Sequence, residues 1–235
     1  MTLQAVIFDF DGLVMDSEWV IFESARAAFS VHGHDLSVEA WATVVGINDE
    51  HDPRWWDSLC EAAGIAGFER AVFDDSYEAT DEREALRAAM HALPALPGVG
   101  VLIDSLTAAG VPLGVASSSS RAWLERNLDR LGVLDRFGTL VGADVVGGVG
   151  KPAPDVYLRA CADLGAEPAH SVALEDSAHG VTAARAAGMS VVAVPSRVTR
   201  FNEFNHADLV IDSLAELDVS RLVRLEAGGV AAPDG

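Results

Sequence analysis

Six short apolar runs, most of them separated by segments of helical period, constrain this chain more than any other feature. Residues 3–9 (LQAVIFD), 111–116, 139–142, 171–174, 191–194 and 209–211 have strand length and little polar alternation, the pattern of strands buried on both faces. Helix-period segments lie at 99–109, 120–131, 153–165, 178–187 and 213–224. Strand and helix alternating at this spacing implies an α/β fold, a doubly wound, Rossmann-like parallel-sheet core. Such sheets bind ligands beyond the carboxyl ends of their strands. Residues at those ends are therefore the first candidates for chemistry.

The alternation breaks between about residues 17 and 91. That stretch has helix-period segments near 18–32, 37–45, 55–63 and 67–91, no convincing strand, and 16 Asp or Glu against 5 Arg. It reads as an inserted all-α cap over 17–91, with the core made from residues 1–16 and 92–225. The exit linker, Leu93-Pro94-Ala95-Leu96-Pro97-Gly98, is stiffened by two prolines. Two linkers leaving the core together would form a hinge for a lid. The Gly/Ala/Pro-rich tail 226–235 is expected to be flexible.

The net charge of −20 argues against nucleic acid or an anionic membrane as partner. No apolar run reaches the roughly 18–20 residues that span a bilayer. MTLQAVIFDF lacks a basic region before its apolar stretch, so it reads as a first strand rather than a signal peptide. The two cysteines, Cys60 and Cys161, lie far apart in helix-like segments and fit a reducing, cytoplasmic setting. A monomer or weak dimer is expected. Any anionic substrate would have to be attracted locally, and Lys151 is the only lysine in the chain.

Two acidic clusters close apolar strands. Asp9-Phe10-Asp11-Gly12 ends the first, and Glu175-Asp176 ends the run SVALED. If these strands are neighbours, up to four carboxylates crowd one site. At about 4 Å and an effective dielectric near 20, each close pair repels by roughly 4 kcal/mol. Such a cluster stays ionised only around a cation, and all-oxygen ligation suits Mg²⁺. Lys151, in Gly150-Lys151-Pro152-Ala153-Pro154-Asp155, is delivered on a proline-stiffened approach to a helix. Ser117-Ser118-Ser119-Ser120 follows the run ending VA, where hydroxyls and free N–H groups can cradle an anion while one serine caps the next helix.

DFDGLVMDSE, VASSSS, GKPAPD and LEDSAHGVTAARAAGM, in this order over residues 3–212, resemble the four motifs of the haloacid dehalogenase superfamily. The insert resembles the helical cap of its β-phosphoglucomutase-like phosphatase branch. The resemblance implies that a small phosphorylated metabolite is the substrate and that Asp9 is the nucleophile. Asp11 would be general acid and then base. Mg²⁺ would be held by Asp9, the Asp11 carbonyl, Asp176 and, directly or through another group, Glu175. Ser117, Lys151 and the N–H groups of Asp11, Gly12 and Ser118 would bind the phosphoryl oxygens.

Departures from relatives narrow the activity. A β-phosphoglucomutase would carry a His where this chain has Ile21, and a phosphonatase a cap lysine, which is missing here. Both point to a phosphatase. On the cap, Trp19, Arg54 and Trp55 are candidates for substrate contact. Trp41 and one of Trp55 and Trp56 read equally as cap core, since consecutive helix positions are not expected to face inward together. His179 follows the Glu175-Asp176 motif closely and is a weaker candidate for the site.

Overall fold

In a computed structural model, residues 3–47, 55–77 and 80–227 are described. The core strands are β1 (Ala5–Phe8), β2 (Leu113–Ala116), β3 (Thr139–Val141), β4 (Ser171–Glu175), β5 (Ser190–Ala193) and β6 (Leu209–Val210). They form one parallel sheet of order β3-β2-β1-β4-β5-β6. The chain moves outward from β1 in one direction, then returns to its other side and moves outward again. That reversal puts a crevice beyond the ends of β1, β2 and β4.

The helices of this half are α6 (Val99–Ala108), α7 (Arg121–Arg130), α8 (Asp155–Leu164), α9 (Ala178–Ala186) and α10 (Val219–Glu226). Strand residues alternate between two apolar layers. Val6, Phe8, Leu113, Val115, Val172 and Leu174 pack with Leu102, Leu124, Leu128, Leu222 and Leu225, from α6, α7 and α10. Ala5, Ile7, Ala173, Val191 and Ala193 pack with Val156, Tyr157, Ala160 and Val181, from α8 and α9. The sheet is thus covered on both faces, as its continuous apolar strands require.

The helix read over 213–224 is corrected. Residues Leu214–Glu216 make a single 3₁₀ turn, and Asp218 then caps α10 by accepting the Arg221 N–H at 2.7 Å. A capping aspartate satisfies an otherwise orphan donor, so it restarts the helix there.

Between β1 and α6 lie α1 (Ser17–Val31), α2 (Val38–Ala42), α3 (Trp55–Ala63), α4 (Arg70–Tyr77) and α5 (Thr80–Ala92). The segment read as helical over 67–91 holds α4 and α5. Helices α1 to α4 share an apolar cluster of Phe22, Phe29, Trp41, Trp55, Trp56, Leu59 and Phe73, joined by Val198. Trp55 and Trp56 are both 7% exposed, contrary to the expectation that one would face outward. α3 is covered on two sides: Trp55 meets Trp41 edge-on, while Trp56 packs against Phe29, Phe68 and Phe73 and donates its indole N–H to the Phe68 carbonyl.

The two linkers run side by side. Met15 bridges Ala95, and the Leu96 N–H donates to the Val14 carbonyl at 2.9 Å. Arg130, at the end of α7, reaches both linkers, donating to the Leu93 carbonyl and to Met15 Sδ. Core side chains also hold the chain after α2: Asn202 donates to the Ala42 carbonyl, His179 to that of Val45 and Ser118 to that of Gly46. The turn that follows α2, residues 43–47, therefore sits over the strand ends.

Candidate active site

Three adjacent strands deliver the site. The Asp9 N–H continues the β1–β4 ladder by donating to the Leu174 carbonyl, and Ser117 does the same towards Val141 at the end of β2. Glu175 is the last residue of β4 and Asp176 follows it. The distant acidic tips recognised in the sequence therefore meet: ligand atoms of Asp9, Glu175 and Asp176 lie within 4.8 Å of one another. Lys151 arrives from the loop before α8, its N–H donating to Ser118 Oγ.

The Lys151 ammonium is buried between two carboxylates, 2.5 Å from Asp9 Oδ1 and 2.5 Å from Glu175 Oε1. Glu175 Oε1 also accepts the Tyr157 hydroxyl, and its other oxygen faces the Ser177 N–H and hydroxyl. Burial pulls the lysine pKa down, but Asp9 and Glu175 outweigh it and hold the pKa above the usual lysine value. Burial raises Asp9 to about 7; Lys151 draws it down and Glu175 pushes it up. Asp176 is driven well above the carboxylate range by burial, then by the charges of Asp9, Glu175 and Glu18.

Three buried carboxylates against one ammonium leave an excess of negative charge in a dry place, which is costly unless it is neutralised. The donors are all oxygens, the set that suits magnesium. The chain leaves room for them. Gly12 has φ +85°, and a Cβ there would stand 2.1 Å from Asp176 Oδ2. The Thr199 hydroxyl steadies the same segment by donating to the Asp176 carbonyl. The residues present therefore fit a divalent cation. Gly12→Ala is expected to displace the Asp176 carboxylate, lowering apparent Mg²⁺ affinity and kcat each by about tenfold or more. Calorimetric titration with Mg²⁺ and a metal-dependence curve of turnover check this.

Asp11 stands apart from that cluster. Its Oδ1 accepts the Ser17 hydroxyl at 2.6 Å and the Trp123 indole N–H at 3.0 Å, and its Oδ2 accepts the Ser119 hydroxyl at 2.6 Å. Of the four serines, Ser120 is the N-cap of α7. Ser117 is buried, its Oγ accepting the Ser119 N–H. Ser118 ties Lys151 to Gly46.

A cavity of about 880 Å³ opens above Asp9, Asp11, Lys151 and Asp176. Its far wall comes from the helical segment and is largely apolar, with Ile21, Trp41, Val44, Ile47, Trp55 and Phe73. Glu18 and Arg70 also line it. Burial, with the nearby charges of Asp11 and Asp9, raises Glu18 to about 8. Of Trp19, Arg54 and Trp55, the candidates for substrate contact, Trp55 lines the cavity. Trp19 does not; its ring lies under the Arg197 guanidinium at 3.7 Å. Arg54 lies outside the described residues. His179 is engaged with the Val45 carbonyl.

The structure adds Tyr157, Glu18, Trp123 and Thr199 to the site, and gives Ser119, one of the four serines, a contact to Asp11. Tyr157 carried a faint signal, sitting at the start of the helix that the Lys151 motif opens. Trp123 carried none, because its role depends on how α7 is docked beside Asp11.

Comparison with known proteins fits this arrangement. The family model described as "Hydrolase: haloacid dehalogenase-like hydrolase" matches residues 3–188. YhcW of Bacillus subtilis (strain 168), which carries the name of a phosphatase, is 35% identical over 221 residues, covering 94% of this chain and 96% of its own. Protein CbbY of Rhodobacter capsulatus is 35% identical over 226 residues, covering 92% and 95%. The solved β-phosphoglucomutase of Clostridium difficile superposes with a TM-score of 0.75 over 97% of this chain and 98% of that one. At 22% identity this is a likeness of fold.

Proposed function

The chain belongs to the haloacid dehalogenase-like hydrolases, and from that premise we propose a magnesium-dependent phosphatase that cleaves a small phosphomonoester through a phosphorylated Asp9. One observation carries the reading. A buried ammonium and three buried carboxylates meet at one end of the sheet, at the floor of a cavity large enough for a metabolite.

In the first step an Asp9 oxygen attacks phosphorus. The bond from phosphorus to the ester oxygen breaks, and that oxygen takes a proton from Asp11 to leave as an alcohol. In the second, water attacks the phosphorus of the aspartyl phosphate. Asp11, now ionised, takes a proton from the water, and the bond to Asp9 breaks to return the carboxylate and free phosphate. Lys151 and Ser117, with the N–H groups of Asp11 and Ser118, bind the phosphoryl oxygens throughout; the Gly12 N–H, expected to join them, instead donates to the Met15 carbonyl at 2.8 Å. Glu175 and Tyr157 act through Lys151 by fixing its ammonium against Asp9. Asp9 and Asp176, with the Asp11 main-chain carbonyl, would hold the metal. Magnesium, when bound, supplies positive charge that lets an anionic carboxylate approach an anionic phosphate.

Ile21, which lines the cavity, offers no proton to a bound sugar, so transfer to water is favoured over return to a second hydroxyl. Relatives named as phosphatases, including hexitol phosphatase B of Escherichia coli (strain K12) at 31% identity, support that choice.

Phosphate release from a panel of sugar, polyol, nucleotide and acid phosphates tests the proposal. Release from at least one is expected with Mg²⁺, falling by about 100-fold or more with EDTA and returning when Mg²⁺ is restored. Turnover indifferent to EDTA, or isomerisation of a sugar phosphate without phosphate release, would refute it.

A further inference from the structure

Asp11 has an unusual set of partners for a group that must carry and surrender a proton. A carboxylate oxygen has two lone pairs in its plane, and both of those on Oδ1 are taken, by the Ser17 hydroxyl and the Trp123 indole N–H. The two donors differ in kind. A hydroxyl can turn round and accept, but an indole N–H only donates. While Trp123 stays in place, Oδ1 can act only as an acceptor there. A proton on Asp11 is therefore directed to Oδ2, whose one partner among the described residues is the Ser119 hydroxyl. That hydroxyl can go on donating to the second lone pair of Oδ2 when Oδ2 becomes an O–H, which leaves the proton free for the leaving group.

The indole is itself held. Trp123 packs, partly buried, against the core cluster that includes Leu124 and Leu128, and the Arg126 guanidinium lies over its ring at 5.2 Å. Its backbone N–H donates to the N-cap hydroxyl of Ser120, which fixes the first turn of α7. Trp123 also lines the cavity beside Asp11, so this fixed donor sits at the edge of the substrate's space.

We propose that Trp123 is a positioning residue for the general acid. By keeping Oδ1 as an acceptor, it selects Oδ2 as the proton-bearing oxygen and aims it at the leaving group. The inference rests on the assignment of Asp11 as general acid. In the step concerned, the bond from phosphorus to the ester oxygen breaks, and its electron pair stays on that oxygen. The Oδ2 proton moves to it, and Asp11 is left ionised with all three donors in place. The reverse proton movement, from water to Oδ2, serves the second step.

Such a role has a signature that a purely structural tryptophan lacks. Proton donation matters for an alkyl ester, whose alkoxide is a poor leaving group, and little for 4-nitrophenyl phosphate, whose phenolate leaves unaided. The test measures kcat/KM, which reports the steps up to phosphorylation of Asp9. The substrates are 4-nitrophenyl phosphate, phenyl phosphate and the alkyl phosphate turned over fastest in the panel. Trp123→Phe is expected to lower the alkyl value by about 10–100-fold, as misplacement of a catalytic group does, and the 4-nitrophenyl value by less than about threefold. Because the comparison is a ratio within one preparation, a partly unfolded fraction cancels. Asp11→Asn is measured alongside. If Asp11→Asn discriminates between the esters and Trp123→Phe lowers both equally or neither, the role of Trp123 is overturned and that of Asp11 stands. If Asp11→Asn fails to discriminate, the general-acid assignment falls and the role of Trp123 falls with it.

Discussion

Asp9→Asn is expected to lose at least about 10⁴-fold in turnover, the scale on which a nucleophile's removal is felt, while keeping its fold. The amide is nearly isosteric with the carboxylate and its oxygen can still accept from Lys151, so the contact at Asp9 Oδ1 persists. The apo protein is expected to melt no lower than the wild type at pH 8. Burial raises the Asp9 pKa from 3.8 to about 7, so its contribution to stability is present below pH 3.8 and is lost as the pH climbs through 7. Above that point the wild type bears an ionised carboxylate that its surroundings disfavour, and the amide removes the penalty. Steady-state phosphate release and thermal unfolding at pH 8 check both halves. Activity within tenfold of wild type would remove Asp9 from the nucleophile's role.

Lys151→Met is expected to damage both catalysis and the fold. The ammonium is the shared partner of Asp9 and Glu175, and removing one partner of a buried ion pair leaves uncompensated charge costing about 3–5 kcal/mol. Denaturant unfolding of the metal-free protein should show that loss. Turnover should fall by about 10³-fold, since a positive group aimed at the transferring phosphoryl is gone. The variant has one further mark. With the repulsive ammonium absent, Mg²⁺ should raise its Tm by more than it raises that of the wild type. Metal-free stability equal to wild type, or kcat within tenfold, would contradict the placement of Lys151 as a buried bridge to the phosphate.

The parts of this protein that could be read from sequence are those in which a local pattern has a local cause. Buried parallel strands demand continuous apolar runs, and all six are where the runs are. Acids at the ends of β1 and β4 converge because strand order places those strands side by side, and each acid sits at a break that hydrophobicity alone marks. Lys151 stood out because the chain has no other lysine. What could not be read depends on docking across long sequence separations. Trp123 reaches Asp11 only through the placement of α7, and Tyr157 reaches Glu175 only through that of α8. Burial of both Trp55 and Trp56 required knowing that α3 is covered on two sides. The tryptophan candidates for substrate contact divide in the same way: Trp55 lines the cavity, while Trp19 is held beneath Arg197.

Trapping the phosphorylated enzyme is the most direct test of whether Asp9 takes the phosphoryl group. Enzyme turning over its best substrate with Mg²⁺ is acid-quenched within the first turnovers, reduced with borohydride and digested. Reduction of an aspartyl phosphate converts that side chain to homoserine, which peptide mass spectrometry locates. The account predicts homoserine at position 9, dependent on substrate and Mg²⁺ and absent from Asp9→Asn. Reduction at a different residue, or rapid turnover with position 9 unmodified at every quench time, would contradict it.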